Sequence, residues 1–379
     1  MSGHRRPRRL GIFALSILAV TGLLAGACSK VASPEGWASP VVENGLILAA
    51  HRDELFALDS ASFNPGESGW VFPSGGEDED IDVVALYGTP ALTADAVFVP
   101  TYEGTLYALV RETGKVLWSE PTDGPLIGGV RASSNGETIY FGSSDGKVYA
   151  LDAATGEQRW EPFEADDGVW STPTLSGDLL YVTSLDGRLY ALDTATGEER
   201  WSFETGAGIA SPAVVDDTSG LVFVGGLDGR LRAIDLETHT ERWSLKSHNW
   251  FWTQPLVSGG VVYAGSLDGS IYAIDGDSGE QRWEAVSTEG PVRSAPLIVG
   301  GTLIVVDRDG NVYGLDLSSG DLVTNEPLAL DSEVFADPVV VAGSDGGGDA
   351  VVVVTAGGEL VRIDPATVQV IGEPRKLKN

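Results

Sequence analysis

One fifteen-residue phrase recurs along the chain and constrains its fold more than any other feature. Its clearest copy is Gly187–Trp201, GRLYALDTATGEERW. Full copies stand at Gly104–Trp118, Gly146–Trp160, Gly229–Trp243 and Gly269–Trp283. Shorter ones begin at Asp53 (DELFALD, reaching Trp70), Gly310 (GNVYGLDLSSGD) and Gly358 (GELVRID). The eight starting points are separated by 51, 42, 41, 42, 40, 41 and 48 residues. A period of about 40–45 residues made only of strand and turn signals predicts a ring of like sheets, a β-propeller.

Residues 170–205 show why each unit is a sheet. Strands are expected at 173–175, 179–183, 189–193 and 199–203, whose apolar residues mostly alternate or form short runs rich in Tyr, Val and Leu. Asp186-Gly187 and Thr196-Gly197 are turn signals between them. The unit is therefore four antiparallel strands. A single such sheet leaves both faces uncovered, and stacking eight around an axis covers them. The repeated Trp70, Trp118, Trp160, Trp201, Trp243 and Trp283 are expected to pack each blade against the next.

The phrase G-x-L/V-Y-A-L/I-D-x-x-T/S-G-x-x-x-W resembles the repeat of the quinoprotein-type, PQQ-like β-propellers. The resemblance covers nearly the whole chain after its leader and implies an all-β, eight-bladed propeller of four-stranded antiparallel blades. It says little about activity, because one fold hosts many functions.

Residues 1–27 stand apart. Arg5, Arg6, Arg8 and Arg9 precede an uncharged apolar stretch and then Leu24-Ala-Gly-Ala-Cys28. This is the pattern of a secretion signal. The small residues before the only cysteine resemble a bacterial lipobox, departing from it at Ala25, and imply cleavage and lipid attachment at Cys28. The alternative is an uncleaved anchor, since about 18 apolar residues just span a bilayer. The expected layout is a lipoprotein signal peptide (1–27), a lipidated tether (28–36), the propeller (37–374) and a polar tail (375–379). An exported domain whose sole cysteine is acylated has no disulfide, and its stability rests on its core.

Without the leader the chain carries 20 Lys and Arg against 55 Asp and Glu, a net charge of −35. Such a surface repels phosphate backbones, so no nucleic-acid partner is expected. The acidic loop Ser74–Asp82 reads as a solvated loop, a cation or partner contact being the alternative, and Gly343–Asp349 is a Gly-rich insertion between the first two strands of blade 8.

Aromatic residues outside the phrase mark a candidate binding mouth. Trp37, Tyr87, Trp170, Trp252, Arg293 and Phe335 each stand three residues before a Pro that opens a blade's first strand, and Ile209 stands so before Pro212. Leu126 is expected in the same place in blade 3. The first strand lies nearest the axis, so these positions form a ring at one mouth of the channel, with His248, Asn249 and Trp250 beside it. Filling the end of a wide ring and binding a ligand or peptide both call for such residues.

Other signals have plain explanations. Gly142-Ser-Ser144-Asp-Gly146 matches G-x-S-x-G but falls on the repeat's hairpin, away from any strand-to-helix elbow. Asp307-Arg-Asp-Gly-Asn311 suggests a calcium loop, yet it too is the repeat's turn. His51, His239 and His248 form no metal-binding spacing. No catalytic residue, metal or cofactor is expected.

Three functions follow. The first is a non-catalytic, lipid-anchored scaffold of the cell envelope, binding envelope proteins or peptides as a monomer or as a subunit of a larger complex. It is similar to the propeller lipoproteins of the outer-membrane β-barrel assembly machinery, and would lie on the periplasmic face of an outer membrane or on the surface of a single-membrane cell. The second is an extracellular sensor of a small ligand. The third is a PQQ-dependent dehydrogenase. Those enzymes use calcium, a catalytic Asp and often a disulfide of adjacent cysteines, whereas this chain has one cysteine.

Overall fold

The structure is a computed structural model that describes residues 36–64, 69–74, 81–343 and 348–378. Cys28, the leader, most of the tether and most of the two loops at 74–82 and 343–349 lie outside the described residues.

Eight antiparallel sheets follow one another in chain order, each built of consecutive strands. Blade 4 is typical: Thr174–Ser176, Leu179–Thr183, Arg188–Asp193 and Glu199–Glu204. Blade 1 opens at Val41–Glu43 and blade 8 at Val339–Val341. No helix occurs among the described residues.

The middle strands are continuously apolar because both faces are covered. In blade 4, Leu180, Val182, Tyr190 and Leu192 pack toward blade 3, while Tyr181, Leu189 and Ala191 pack toward blade 5. Strand alternation thus divides one sequence between two cores. Eight such clusters lie between neighbouring blades, the last joining blade 8 to blade 1.

The outer strand is complete over six residues in blades 2, 4 and 5. In blade 3 it is split, with Gln158 bridging Leu151 and then Phe163–Glu164 resuming the pairing. Blade 6 is split at the same place, Gln281 bridging Ile274 before Val286–Ser287, with Ala285 where blade 3 has Pro162. Blade 8 is split likewise around Pro374: Gln369–Val370 and Arg375–Lys376 pair with the same third strand, Glu359–Asp364. The residues read as a polar tail are therefore corrected: 375 and 376 are the second half of the last outer strand.

The ring closes without strand exchange among the described residues. Blades 1 and 8 meet through Ile47, Phe56 and Leu58 against Val352, Val354 and Leu360. Polar ties flank this seam. Ser39 Oγ donates to Asp337 Oδ2 at 3.0 Å, and the Lys378 ammonium lies 2.8 Å from Glu54. Arg375 donates to Asn64.

Candidate functional site

The repeated phrase builds the rim of the channel. In blade 4, Asp186 of the Asp-Gly turn accepts from the Arg188 N–H at 2.8 Å and from Tyr190 OH at 2.7 Å. Its second oxygen also accepts from the N–H of Asp166, in the connector from blade 3. Asp145 does the same with Lys147, Tyr149 and Asp123. In blades 3 and 4 the Asp and Tyr of the phrase thus fix the connector that carries the mouth residue.

Strand register gives the ring one residue per blade. Thr174 pairs with Tyr181, and the equivalent pairs are Arg131 with Tyr140 and Val214 with Phe223. Counting back from these strands puts Ile127 and Ala210 level with Trp170. Leu126 and Ile209, fully buried, are instead core residues level with Val169. The expected positions for blades 3 and 5 were one residue out, because blade 3 has Val130 in place of the Pro and Pro212 sits one residue early. The ring is Trp37, Tyr87, Ile127, Trp170, Ala210, Trp252, Arg293 and Phe335, and all eight line one central cavity of about 560 Å³.

Five of these side chains pack together. Tyr87 and Phe335 lie 4.0 and 6.4 Å from the Trp37 ring. The Arg293 guanidinium sits 4.0 Å over Trp37 and 5.3 Å from both Trp252 and Phe335. Trp250, 44% exposed, stacks on Trp252 at 6.4 Å. His248 is exposed, and its N–H donates to Asp268.

Burial lowers the Arg293 pKa to about 10, with Arg308 adding to the effect, so the group stays charged at neutral pH. Among the described residues its guanidinium makes no hydrogen bond or ion pair; it is held by ring faces. Burial pushes the Asp337 carboxyl up, against the Ala295 N–H and Ser39 Oγ that donate to it.

The repeat tryptophans lie away from the mouth. Each meets the turn of the following blade, as Trp160 meets Gly197. Gly197 has φ +74°, and a Cβ there would come 2.6 Å from the indole, so only glycine fits without displacement. The indole N–H of Trp160 donates to Thr194 O, and that of Trp243 to Gly276 O at 2.7 Å. Trp70 and Trp118 donate in the same way to Arg111 and Ala153. Trp283 packs on Gly320, but its buried N–H has no partner among the described residues. Trp201 meets His239, which replaces the glycine at φ +56°.

Ser144 lies in a hairpin turn between Thr138–Gly142 and Lys147–Asp152. Asp307 is fully buried and accepts from Gly290 N, Asn311 N, Asn311 Nδ2 and Tyr313 OH, all at 2.9–3.1 Å. Among the described residues no group of three or more His, Cys, Asp or Glu is arranged to hold a metal.

Sequence reasoning missed a second set of mouth-face residues. Tyr102, 39% exposed, meets Tyr87 edge-on at 5.1 Å. It precedes the acid of the blade 2 turn, where Leu185, Leu227 and Leu267 stand in blades 4 to 6. The signal was the apolar residue just before the Glu-Gly or Asp-Gly of blades 2, 4, 5 and 6; blades 3 and 7 have Ser144 and Arg308 there.

Comparison with known proteins agrees with this architecture. The family model described as outer membrane protein assembly factor BamB matches residues 27–129, 103–219 and 209–371. The chain belongs to this family. Among solved structures, BamB from Moraxella catarrhalis superposes with a TM-score of 0.63 at 22% identity, covering 76% of this chain and 88% of that one. The computationally designed Ika8 protein gives 0.68 at 17% identity, covering 89% and 98%. These two likenesses concern the fold. Among curated proteins, BamB of Legionella pneumophila is 24% identical over 127 residues, 32% of this chain and 31% of that protein. Quinoprotein alcohol dehydrogenase PedE of Pseudomonas putida is 39% identical over 70 residues, 18% of this chain and 11% of that enzyme. The matched segments thus span about a tenth to a third of these relatives.

Proposed function

We propose that this BamB-family propeller is a non-catalytic scaffold of the bacterial envelope that holds a polypeptide partner at its aromatic mouth, in outer-membrane protein assembly. The observation that carries the reading is the mouth itself. Trp37, Tyr87, Trp252 and Phe335 surround a guanidinium whose donors have no acceptor among the described residues, and Trp250 and Tyr102 extend that surface outward. Buried aromatics with a central Arg are the residues that anchor protein interfaces. Lipid attachment at Cys28 would hold the propeller at the membrane; among the described residues no helix is long and apolar enough to cross one.

The similarity to quinoprotein dehydrogenases motivates a second reading, PQQ-dependent oxidation. The cavity residues do not fit a quinone held by calcium. Of the two carboxylates there, Glu43 is engaged by Arg111 and Asp337 by Ser39 and Ala295. No reaction step is assigned to them.

The test is capture of envelope proteins from detergent-solubilised membranes. The wild-type chain is expected to retain a defined partner, and Trp170→Ala/Trp252→Ala to lose it while keeping its circular dichroism. Equal capture by both chains would move the site elsewhere. A visible-absorbance titration with PQQ and calcium tests the second reading, and saturable binding would revive it.

A further inference from the structure

Blades 2, 4 and 5 have outer strands of equal length, Val116–Pro121, Glu199–Glu204 and Glu241–Lys246. All three carry a bulge at the same register. In blades 4 and 5 the residue at the bulge is an arginine paired with the Asp that ends the third strand. The distances are 2.6 Å for Arg200–Asp193 and 2.9 Å for Arg242–Asp235. Blades 3 and 6 keep the pair as Arg159–Asp152 and Arg282–Asp275. Blade 2 has lost both halves together: Val110 stands for the Asp and Leu117 for the Arg, while Val116 replaces Glu199 or Glu241.

The result is an apolar corner facing solvent. Leu117 is 50% exposed and Val116 37%. Val323 and Ile371 take the arginine's place in blades 7 and 8, but there Asp316 and Asp364 remain and the outer strand is only two residues or split. Blade 2 alone, among the described residues, joins a full-length outer strand to an uncharged, apolar corner. Sheet edges are ordinarily guarded against pairing by charge or by shortness; here Lys115 stands just before the strand, but the two corner residues Val116 and Leu117 themselves carry no charge. Among the described residues no strand pairs with its outer side. The chain carries 55 Asp and Glu against 24 Lys and Arg, and this charge favours a basic partner and disfavours a second copy of this protein; on the strand itself Glu120 is the acidic residue.

We propose that the outer edge of blade 2 is a second docking site, which accepts an extended strand of a partner protein. That strand adds to the sheet through main-chain hydrogen bonds, lays aliphatic side chains on Val116 and Leu117, and sets a Lys or Arg against Glu120. The site is independent of the mouth and lies on the rim of the wheel.

The experiment places a photo-crosslinking residue at Leu117, Ser119, Arg200 or Arg242 of the full chain in its own cells. An adduct is expected from positions 117 and 119 and not from 200 or 242. Its cross-linked peptide should alternate aliphatic residues with a Lys or Arg. Restoring the sister-blade corner with Val110→Asp/Val116→Glu/Leu117→Arg should cut the yield from position 119 at least tenfold. Should that chain fail to fold, Leu117→Gln serves, with an expected drop of several-fold. The proposal is overturned by no adduct, by equal yields at 117 and 200, by an adduct to a second copy of this chain, or by a yield that the substitutions leave unchanged.

Discussion

The guanidinium of Arg293 lies 4.0 Å over the indole of Trp37, so a residue of blade 7 touches one of blade 1 across the front of blade 8. Phe335 of blade 8 sits 5.3 Å from the same guanidinium. Three consecutive blades are thus tied at the place where the ring closes, and among the described residues closure there relies on side chains rather than on a shared strand. Replacing Arg293 by Met keeps the bulk and removes the cation. The expected loss is about 1 kcal/mol, the size of a partly desolvated cation–π contact. Urea denaturation followed by tryptophan fluorescence measures it, and partner capture should fall in the same variant.

Asp337 is the polar half of that closure, since it accepts from Ser39 of blade 1 and from Ala295 of blade 7. Asp337→Ala leaves the Ala295 N–H without its acceptor and should cost about 1–3 kcal/mol. Asp337→Asn keeps an acceptor for Ala295 and a donor for Ser39 and removes a buried charge. It should stay within about 1 kcal/mol of wild type at pH 7. Equal losses in the two variants would mean that the clasp works through charge alone.

The Trp–turn contacts make a graded series. Gly197→Ala puts a Cβ against Trp160 and holds a positive φ, so a loss of about 2–4 kcal/mol is expected. His239 already bears that φ, and its imidazole stacks 4.5 Å from Trp201 with the planes 15° apart. His239→Gly trades about 1 kcal/mol of stacking for relief of about 1 kcal/mol of backbone strain and should be close to neutral. His239→Ala keeps the strain, loses the stack and should be the worse of the two. Thermal and urea unfolding of the three variants rank them.

Acid should unfold the blades through their outer turns. The Thr238 backbone N–H and then Arg242 hold Asp235 down at about 2, and Asp152, Asp193, Asp275, Asp316 and Asp364 are lowered by like donors. A depressed native pKa stabilises the fold above the unfolded value of about 4, and that stability is lost as pH falls toward about 2. Tyr149 and Tyr190 are pushed up, by burial first and then by Asp145 and Asp186. Their contribution is full below about pH 10 and declines above it. Urea midpoints flat between pH 5 and 9 and falling on both sides would bear this out; a midpoint rising below pH 4 would contradict it.

Blade number and strand order were legible because the phrase encodes them locally: Asp-Gly and Thr-Gly turns fix strand ends, and apolar runs supply both faces. The mouth was legible only in part. Trp37 and Trp252 announced themselves by their distance from a Pro, but Ile127 and Ala210 did not, because that spacing breaks where Val130 replaces the Pro and where Pro212 is displaced. Strand register, a property of pairing between distant residues, was needed to place them. The broken outer strand of blade 8 was hidden for a similar reason. Residues 369–370 and 375–376 look unrelated until both are seen on Glu359–Asp364.

Oxidative footprinting of the partner-bound propeller tests the mouth most directly. Hydroxyl radicals modify exposed indoles and phenols, and Trp250 and Tyr102 are 44% and 39% exposed in the free chain. Partner binding is predicted to protect Trp250, Trp252 and Tyr102 several-fold and to leave Trp201 and Trp243, on the outer strands, unchanged. Mouth residues as reactive in the complex as in the free protein would contradict the account.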